Sequence, residues 1–425
     1  RGNAPPDPWG AFCALWRAHP VPHAAWMDLG TLIIASLSPE LFFAVHGDEI
    51  VCRPMKGTAP RGRWIEEDAA RRRALLDSAK DRAENLMIVD MVRNDLGRIA
   101  QHGTIRAGPL FELETYRSVF QMTSTVRARS AAPPSEILRA LFPCASITGA
   151  PKVRSMQIIA ELETSPRGVY CGAVGFAAPG RRLKVSVPIR TLVVYPSTSA
   201  AEYGVGGGIV WDSTASSEFA EAHHKSRVLT HPDPPFQLLE TLRWRWGRGI
   251  FLWREHFERL SRSAAYFGFP PPEETAILAQ IDAAVSSPPA RWLRVRLRYD
   301  DRGRVSVETQ PLQWPPQRRP VRTALDDRPT DPGNKWLYHK TTRRELYEAA
   351  RARHPGAEEV LLWNPSGEVM EGTVANVIVR LRGVWITPPV ASGLLPGVLR
   401  ARLLRGGWIR EQCVTLADLR RAECI

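Results

Sequence analysis

Alternating and helical runs of apolar residues divide the chain before any chemistry is considered. Thr31–Leu37, Lys184–Val187 and Thr191–Tyr195 read as strands, and Glu66–Arg98 and Ser216–Leu229 read as helices. "FQLLETLRWRWGRGIFLWREHFERL" predicts strand, Gly turn, strand and helix. "RWLRVRLRYDDRGRVSVETQ" predicts a hairpin turning at Asp300-Asp301-Arg302-Gly303, and "EEVLLWNPSGEVMEGTVANVIVRLRGVWITPP" predicts strands joined by Gly turns. Between the two patterned halves stands "HPDPP", where prolines stop a helix and leave only an extended connection. The boundaries expected are therefore 1–230, a linker at 231–235, and 236–425. The Pro-, Arg- and Asp-rich run Pro311–Pro332 reads as a link between two subdomains of the second half. No fixed-period repeat is visible.

Composition narrows the function classes. A chain of 425 residues, 44% hydrophobic and 24% charged, has material for two or three globular domains. No apolar run approaches the roughly 18 residues that span a bilayer, so no membrane role is expected. The net charge of +13 is spread along the chain rather than gathered in a patch, which favours acidic small molecules over nucleic acid. Six cysteines stand without a CxxC pair, so neither a zinc site nor a disulfide framework is indicated, and a reducing cytoplasm is expected. The first residues, "RGNAPPDPWG", lack a signal-peptide apolar core and an initiator Met, which reads as a fragment.

Candidate chemistry begins with carboxylates on predicted helices. In "VWDSTASSEFAEAHHKSRVL", Glu218, Glu221 and Lys225 fall at i, i+3 and i+7 on one face, with Ser216 or Ser217 as N-cap. Glu84, in "SAKDRAENLMIVDMVRNDLGRI", adds a carboxylate from another helix. Such a set could hold Mg²⁺, or it could be an ion-paired solvated face. The adjacent His223-His224 points to different sides of a helix and reads as structural. "YGVGGGIVWD" offers backbone N–H groups to an anion, or makes a tight turn. Thr148-Gly149-Ala150-Pro151-Lys152 precedes a helix whose N-terminal amides favour a carboxylate. "RPMKGT" sets the long cation of Lys56 in a turn punctuated by Pro and Gly.

These pieces stand in a telling order. "LSPELF", "RPMKGT", "DRAENLMIVDMVRNDLGRI", "FPCASITGAPKVRSM", "YCGAVGF", "VPIRTL" and "GVGGGIVWDS…SEFAEAHHK" resemble the chorismate-utilising enzymes over about residues 5–230. The resemblance implies an α+β fold, a large antiparallel β-sandwich flanked by helices, with chorismate and Mg²⁺ bound between. Glu84 and Glu221 match the family's magnesium carboxylates, with Glu218 as a nearby or additional ligand. Arg190, Tyr170, and the backbone around Thr148, Gly149, Gly204 and Gly206 match its substrate contacts. Anthranilate synthases look like "PIAGT" where aminodeoxychorismate synthases look like "PIKGT", and this chain has the lysine. By that likeness Lys56 attacks ring carbon 2 as the C4 hydroxyl departs. Glu40 of "SPE" matches the general acid, which must hold its proton near neutrality. Gln121 stands where relatives often carry His, and Gln does not titrate in this range. No GxCxG glutaminase motif is present, so the ammonia-supplying glutamine amidotransferase is expected as a separate subunit. Relatives also carry a long stretch ahead of the residues matching "SPELF".

The second half carries a different set. "NKWLYHKTTRRELYEAA" presents Lys340, "GEVMEGTVANVIV" presents Glu371, and "SGLLPGVLRARLL" opens a helix after a Pro-Gly turn. A pyridoxal phosphate site needs a lysine, an acid for the ring nitrogen and an anion-binding helix start, although each part alone is commonplace. Together they resemble the fold-type IV pyridoxal phosphate enzymes, the aminodeoxychorismate lyases and class IV aminotransferases, over about residues 236–425, built of two α/β subdomains. The resemblance implies Lys340 as the cofactor-linked lysine and proton shuttle, rather than Lys335, and Glu371 as partner of the ring nitrogen. Arg259 and the amides of Val398 and Leu399 would hold the phosphate. Relatives of this half usually continue past "LADLRRAECI". The combined expectation is a fused aminodeoxychorismate synthase component I and lyase making 4-aminobenzoate for folate. Its rivals are an anthranilate-type synthase joined to an aminotransferase, and an inactive basic scaffold or nucleic-acid binder.

Overall fold

The computed structural model describes residues 1–211, 213–230, 234–315 and 319–425, without the side chains of His224 and 227–230. His231, Pro232 and Asp233 of the expected linker, and Asp212 of the Gly-rich motif, lie outside the described residues. The chain forms two compact units, one of Arg1–Arg61 and Ala69–Pro234, the other of Gly62–Asp68 and Pro235–Ile425.

The first unit holds three sheets, and every described pairing in them is antiparallel. The five-stranded sheet runs Gly2–Asn3, Ala200–Tyr203, Thr191–Tyr195, Ile33–Ser38, His23–Asp28. The six-stranded sheet runs Val174–Ala178, Arg182–Ser186, Leu41–His46, Glu49–Arg53, Val126–Arg129, Arg106–Ala107. Its Phe43, Val45, Ile50 and Val126 pack on Ile88, Val89, Val92 and Leu96. Those four make one apolar stripe on the helix Ala79–Gly97, which therefore lies flat on the sheet. The helical reading across Glu66–Arg98 is split into Ile65–Asp77 and Ala79–Gly97, because Ser78 accepts from Asp81 N–H and starts a new helix.

The third sheet joins Met55–Pro60, Val119–Thr123 and Glu112–Thr115. Met55 faces Thr123 and Thr58 faces Gln121, so Lys56 and Gly57 together oppose Met122 alone. "RPMKGT" is thus a bulged strand rather than a turn, with Gly57 at φ 97° taking the backbone where a side chain is strained.

In the second unit, Gly249–Ile250, Leu238–Arg245, Trp292–Tyr299 and Val305–Pro311 form an antiparallel sheet. Leu242 and Trp244, with Leu293, Val295 and Leu297, face Leu260, Ala264, Ile277 and Ile281 of the helices Trp253–Phe267 and Glu274–Ala284. The hairpin turns where predicted, with Asp300 Oδ1 accepting from the N–H groups of Arg302 and Arg304. Two three-stranded sheets follow: Thr323–Leu325, Glu359–Trp363 and Val369–Gly372, then Val379–Leu381, Val384–Thr387 and Arg410–Glu411. The strand Thr323–Leu325 lies inside the run read as a link, pairing parallel with Glu359–Trp363. Gly62–Asp68 is built into this unit: Tyr266 donates to Gly62 C=O at 2.6 Å, and Trp64 stacks on Tyr338 with ring centres 4.9 Å apart. Among the described residues no helix is long and apolar enough to cross a membrane, and all six cysteines are free.

Candidate functional site

In the first unit the bulge directs Lys56 toward the Gly-rich segment. A Cβ added at Gly208 would sit 2.7 Å from Lys56 Nζ, so the glycine leaves the space in which the end of the lysine lies against that backbone. The strand is pinned from behind by Asn85, whose amide donates to Lys56 C=O at 3.1 Å and Met122 C=O at 3.3 Å. Asn85 follows Glu84 on its helix, so one buried amide ties the two expected site residues to each other.

Glu40 is buried, and burial pushes its carboxyl up to about 7, against the lowering effects of Ser146, Met55 N–H and Lys56. Ser146 Oγ donates to Glu40 Oε1 at 2.6 Å. A half-protonated acid within electrostatic reach of an amine can give a proton to a leaving group. Gln121, opposite Thr58, accepts from the Thr58 hydroxyl at 3.0 Å.

The Gly-rich segment is shaped by what it touches. A Cβ at Gly204 would lie 2.2 Å from the Tyr170 ring, one at Gly206 3.3 Å from the Tyr170 hydroxyl, and one at Gly207 2.3 Å from Glu218 Oε2. Gly204 thus lets the backbone run against the Tyr170 ring where a side chain would clash, while at Gly206 and Gly207 an added Cβ would meet only the Tyr170 hydroxyl and the end of the Glu218 carboxylate. Arg190 stands at φ 52°, with its guanidinium drawn down by burial and facing Tyr203 and Tyr116. Helix Pro8–Ala18 closes an apolar recess beside it through Phe12 and Leu15. Tyr203 Oη, in the same recess, is a buried hydroxyl with no hydrogen-bond partner among the described residues. Thr148 spends its hydroxyl on Cys144 C=O and Ala145 C=O, so its side chain is used locally, while Gly149 at φ 133° packs on Ser155.

The expected metal carboxylates differ among themselves. Glu218 accepts from Ser213 at Oε1, 2.7 Å, and leaves Oε2 buried without a partner among the described residues. Glu221 pairs with Lys225 at 2.6 Å, and that ammonium also donates to Gly206 C=O at 2.8 Å. Glu84 is half-buried. Among the described residues no three His, Cys, Asp or Glu side chains come together as a metal site. The helix Ala215–Thr230 is capped by Thr214, which accepts from Ser217 N–H, so Ser216 and Ser217 lie inside the first turn. His223 is exposed and edges onto Phe219.

In the second unit Lys340 is held by its backbone to the sheet edge, its C=O accepting from Leu239 N–H at 2.9 Å. Burial and Arg259 bring its amine down to about 8, against Glu240 and Glu371, which raise it. Glu371 is buried on Val369–Gly372, and burial pushes its carboxyl up to about 8. Its Oε1 accepts from Tyr347 at 2.7 Å and its Oε2 from Leu395 N–H at 3.2 Å and Asn376 at 3.3 Å. Lys335 lies over the Trp336 ring, 4.9 Å from its centre.

Arg259, on the helix Trp253–Phe267, forks onto the buried Glu240 at 2.9 and 2.6 Å, and His256 Nδ1 joins at 2.7 Å. Burial would raise Glu240, but Arg259 and His256 hold it down at about 2. Val398 and Leu399 begin a helix whose N-cap, Gly397, has no side-chain cap. Asn376 Oδ1 packs on Gly397 where a Cβ would clash, and with no side-chain cap on the first-turn amides this helix start is suited to a phosphate. Lysine, buried acid, preset arginine and uncapped helix start fit pyridoxal phosphate.

Sequence reasoning missed Asn85, Ser146, Glu240, His256, Tyr347 and Asn376. Glu240 alone left a trace: it occupies an inward position of the alternation Leu238, Glu240, Leu242, Trp244, where an acid requires a buried partner.

The family profile described as chorismate binding enzyme matches residues 1–231, and the one described as amino-transferase class IV matches residues 237–425. The chain is 48% identical over 226 residues to the aminodeoxychorismate synthase of Streptomyces griseus, covering 52% of this chain and 31% of that protein. It is 43% identical over 226 residues to aminodeoxychorismate synthase component 1 of Escherichia coli K12, covering 52% and 49%. Among solved structures it is similar to anthranilate synthase component I of Streptococcus pneumoniae, at 32% identity, with a TM-score of 0.49, covering 54% of this chain and 50% of that one. The chain spans half or less of the length of these curated relatives.

Proposed function

Because the chain belongs to the chorismate binding enzymes and carries a class IV amino-transferase segment behind that region, we propose that it makes 4-aminobenzoate from chorismate in two steps. The observation that carries the first step is Lys56, set on a bulge against the Gly-rich backbone beside a buried acid whose carboxyl lies at about 7. Lys56 Nζ bonds to ring carbon 2, the double bond shifts, and the C4 hydroxyl leaves as water with a proton from Glu40. Ammonia then bonds to C4 and the shift reverses, expelling Lys56. Arg190 is the substrate-carboxylate contact of this reading, since a guanidinium can bond both carboxylate oxygens.

Mg²⁺ enters the reading through Glu218, whose Oε2 is buried and, among the described residues, has no partner. Glu84 and Glu221 are the further carboxylates of this reading, although the three are not gathered into one cluster and Glu221 is paired with Lys225. Bound there, it would neutralise substrate carboxylate charge. The ammonia would come from a partner glutamine amidotransferase subunit, as the name of the component 1 relative suggests. A reducing, cytoplasmic setting suits six free thiols.

For the second step, pyridoxal phosphate would supply an electron sink, held by Lys340, Arg259, Glu371 and the amides of Val398 and Leu399. Lys340, its amine brought down to about 8, removes the substrate's α-proton near neutral pH, and pyruvate leaves to give the aromatic amine.

The test is to supply chorismate, Mg²⁺ and ammonium to the whole chain and identify the product. We expect 4-aminobenzoate, lost in Lys56→Ala with the pyridoxal absorbance unchanged, and replaced by accumulating aminodeoxychorismate in Lys340→Ala. Anthranilate as the product would overturn the reading.

A further inference from the structure

We propose that Tyr347 is a positioning residue of the pyridoxal phosphate site, whose hydroxyl fixes the Glu371 carboxylate in charge and direction for the cofactor's ring nitrogen. The proposal rests on the reading of Glu371 given above. Tyr347, on the helix Glu345–Arg353, is buried, and its hydroxyl donates to Glu371 Oε1 at 2.7 Å from a side chain 24 residues away in sequence. Burial and the adjoining carboxylate hold the phenol well above its usual range, so it stays an O–H donor. Arg344 covers the ring face, 4.8 Å from its centre, and fixes the ring's orientation.

The geometry separates this role from packing. Leu395 N–H and Asn376 serve Oε2, so Tyr347 is the donor at Oε1, and the three together leave lone pairs for a ring N–H. The charged and titratable groups facing Glu371 are Lys340, Arg344, Tyr347 and Arg400. Burial sets the Glu371 carboxyl at about 8 and the Tyr347 hydroxyl is one of the groups that draw it down, so removing that hydroxyl moves Glu371 further from the carboxylate that balances a protonated ring nitrogen.

The experiment compares the whole chain with Tyr347→Phe, Glu371→Gln and the double variant, titrating each with pyridoxal phosphate and following the visible band against pH. Circular dichroism of the cofactor-free proteins checks folding. Tyr347→Phe should weaken cofactor binding by roughly tenfold, the size of one hydrogen bond to a charged group, and move the pH midpoint of the band. In the Glu371→Gln background the same change should cost less than about twofold. An equal penalty in both backgrounds, or none in either, overturns the proposal. If Glu371→Gln itself leaves affinity and band unchanged, the reading of Glu371 fails instead. 3-Fluorotyrosine at position 347, a stronger donor in the same shape, should tighten binding even if Tyr347→Phe does not fold, and an unchanged affinity and band would also overturn it.

Discussion

Glu40 shows how a single residue's chemistry is set by its surroundings. Its folded value, about 7, lies above the ordinary 4.5, so the protonated form is favoured in the fold. That contribution is complete below about pH 4.5 and is lost as pH rises through about 7. Glu40→Gln cannot titrate, so relative to wild type it should gain on the order of 3 kcal/mol between pH 4.5 and 8, measured by urea unfolding at each pH. Glu240 has the opposite sign, because Arg259 and His256 hold its carboxyl at about 2. Lys56, Glu40, Lys340 and Glu371 could be named from short motifs, and the general-acid reading of Glu40 already expects a proton held near neutrality, but nothing in the sequence marks Glu240 as the carboxyl held at about 2. Ser146 lies 106 residues from Glu40, and no local pattern records that hydrogen bond.

Elements were legible wherever one period dominated. The hairpin at Asp300–Gly303 and the helix carrying Ile88, Val89, Val92 and Leu96 follow from alternation and from a helical stripe. The bulge at Lys56-Gly57 reads as a turn in the sequence, because Pro and Gly signal both, and only the partner strand tells a bulge from a turn. The caps at Ser78 and Thr214 depended on which hydroxyl reached an N–H three residues ahead, and several Ser and Thr competed. The Gly-rich segment gives the prediction at this scale. Gly208 has no positive φ, and an added Cβ would meet only the mobile end of Lys56. Gly208→Ala should therefore change stability by less than about 0.5 kcal/mol while lowering the synthase rate at least about tenfold, measured by melting and by product formation.

At the scale of the whole molecule, each unit carries cores of its own, and the second is not a continuous stretch of sequence. Residues 62–68, between Lys56 and Glu84 in the chain, belong to it through Trp64 on Tyr338 and through Gly62 on Tyr266. Trp64→Ala should lower the stability of that unit by roughly 1–3 kcal/mol, read as a lower midpoint for loss of the pyridoxal signal on heating. The sequence by itself determined those strands and helices in which one period dominates, and the residue types from which the two candidate sites are drawn, because periodicity and turn chemistry act between near neighbours. Only the tertiary structure decided what sets each buried carboxyl's proton, which hydroxyl holds Glu371, and where residues 62–68 belong. Burial and hydrogen bonding depend on groups that meet only after the chain has folded.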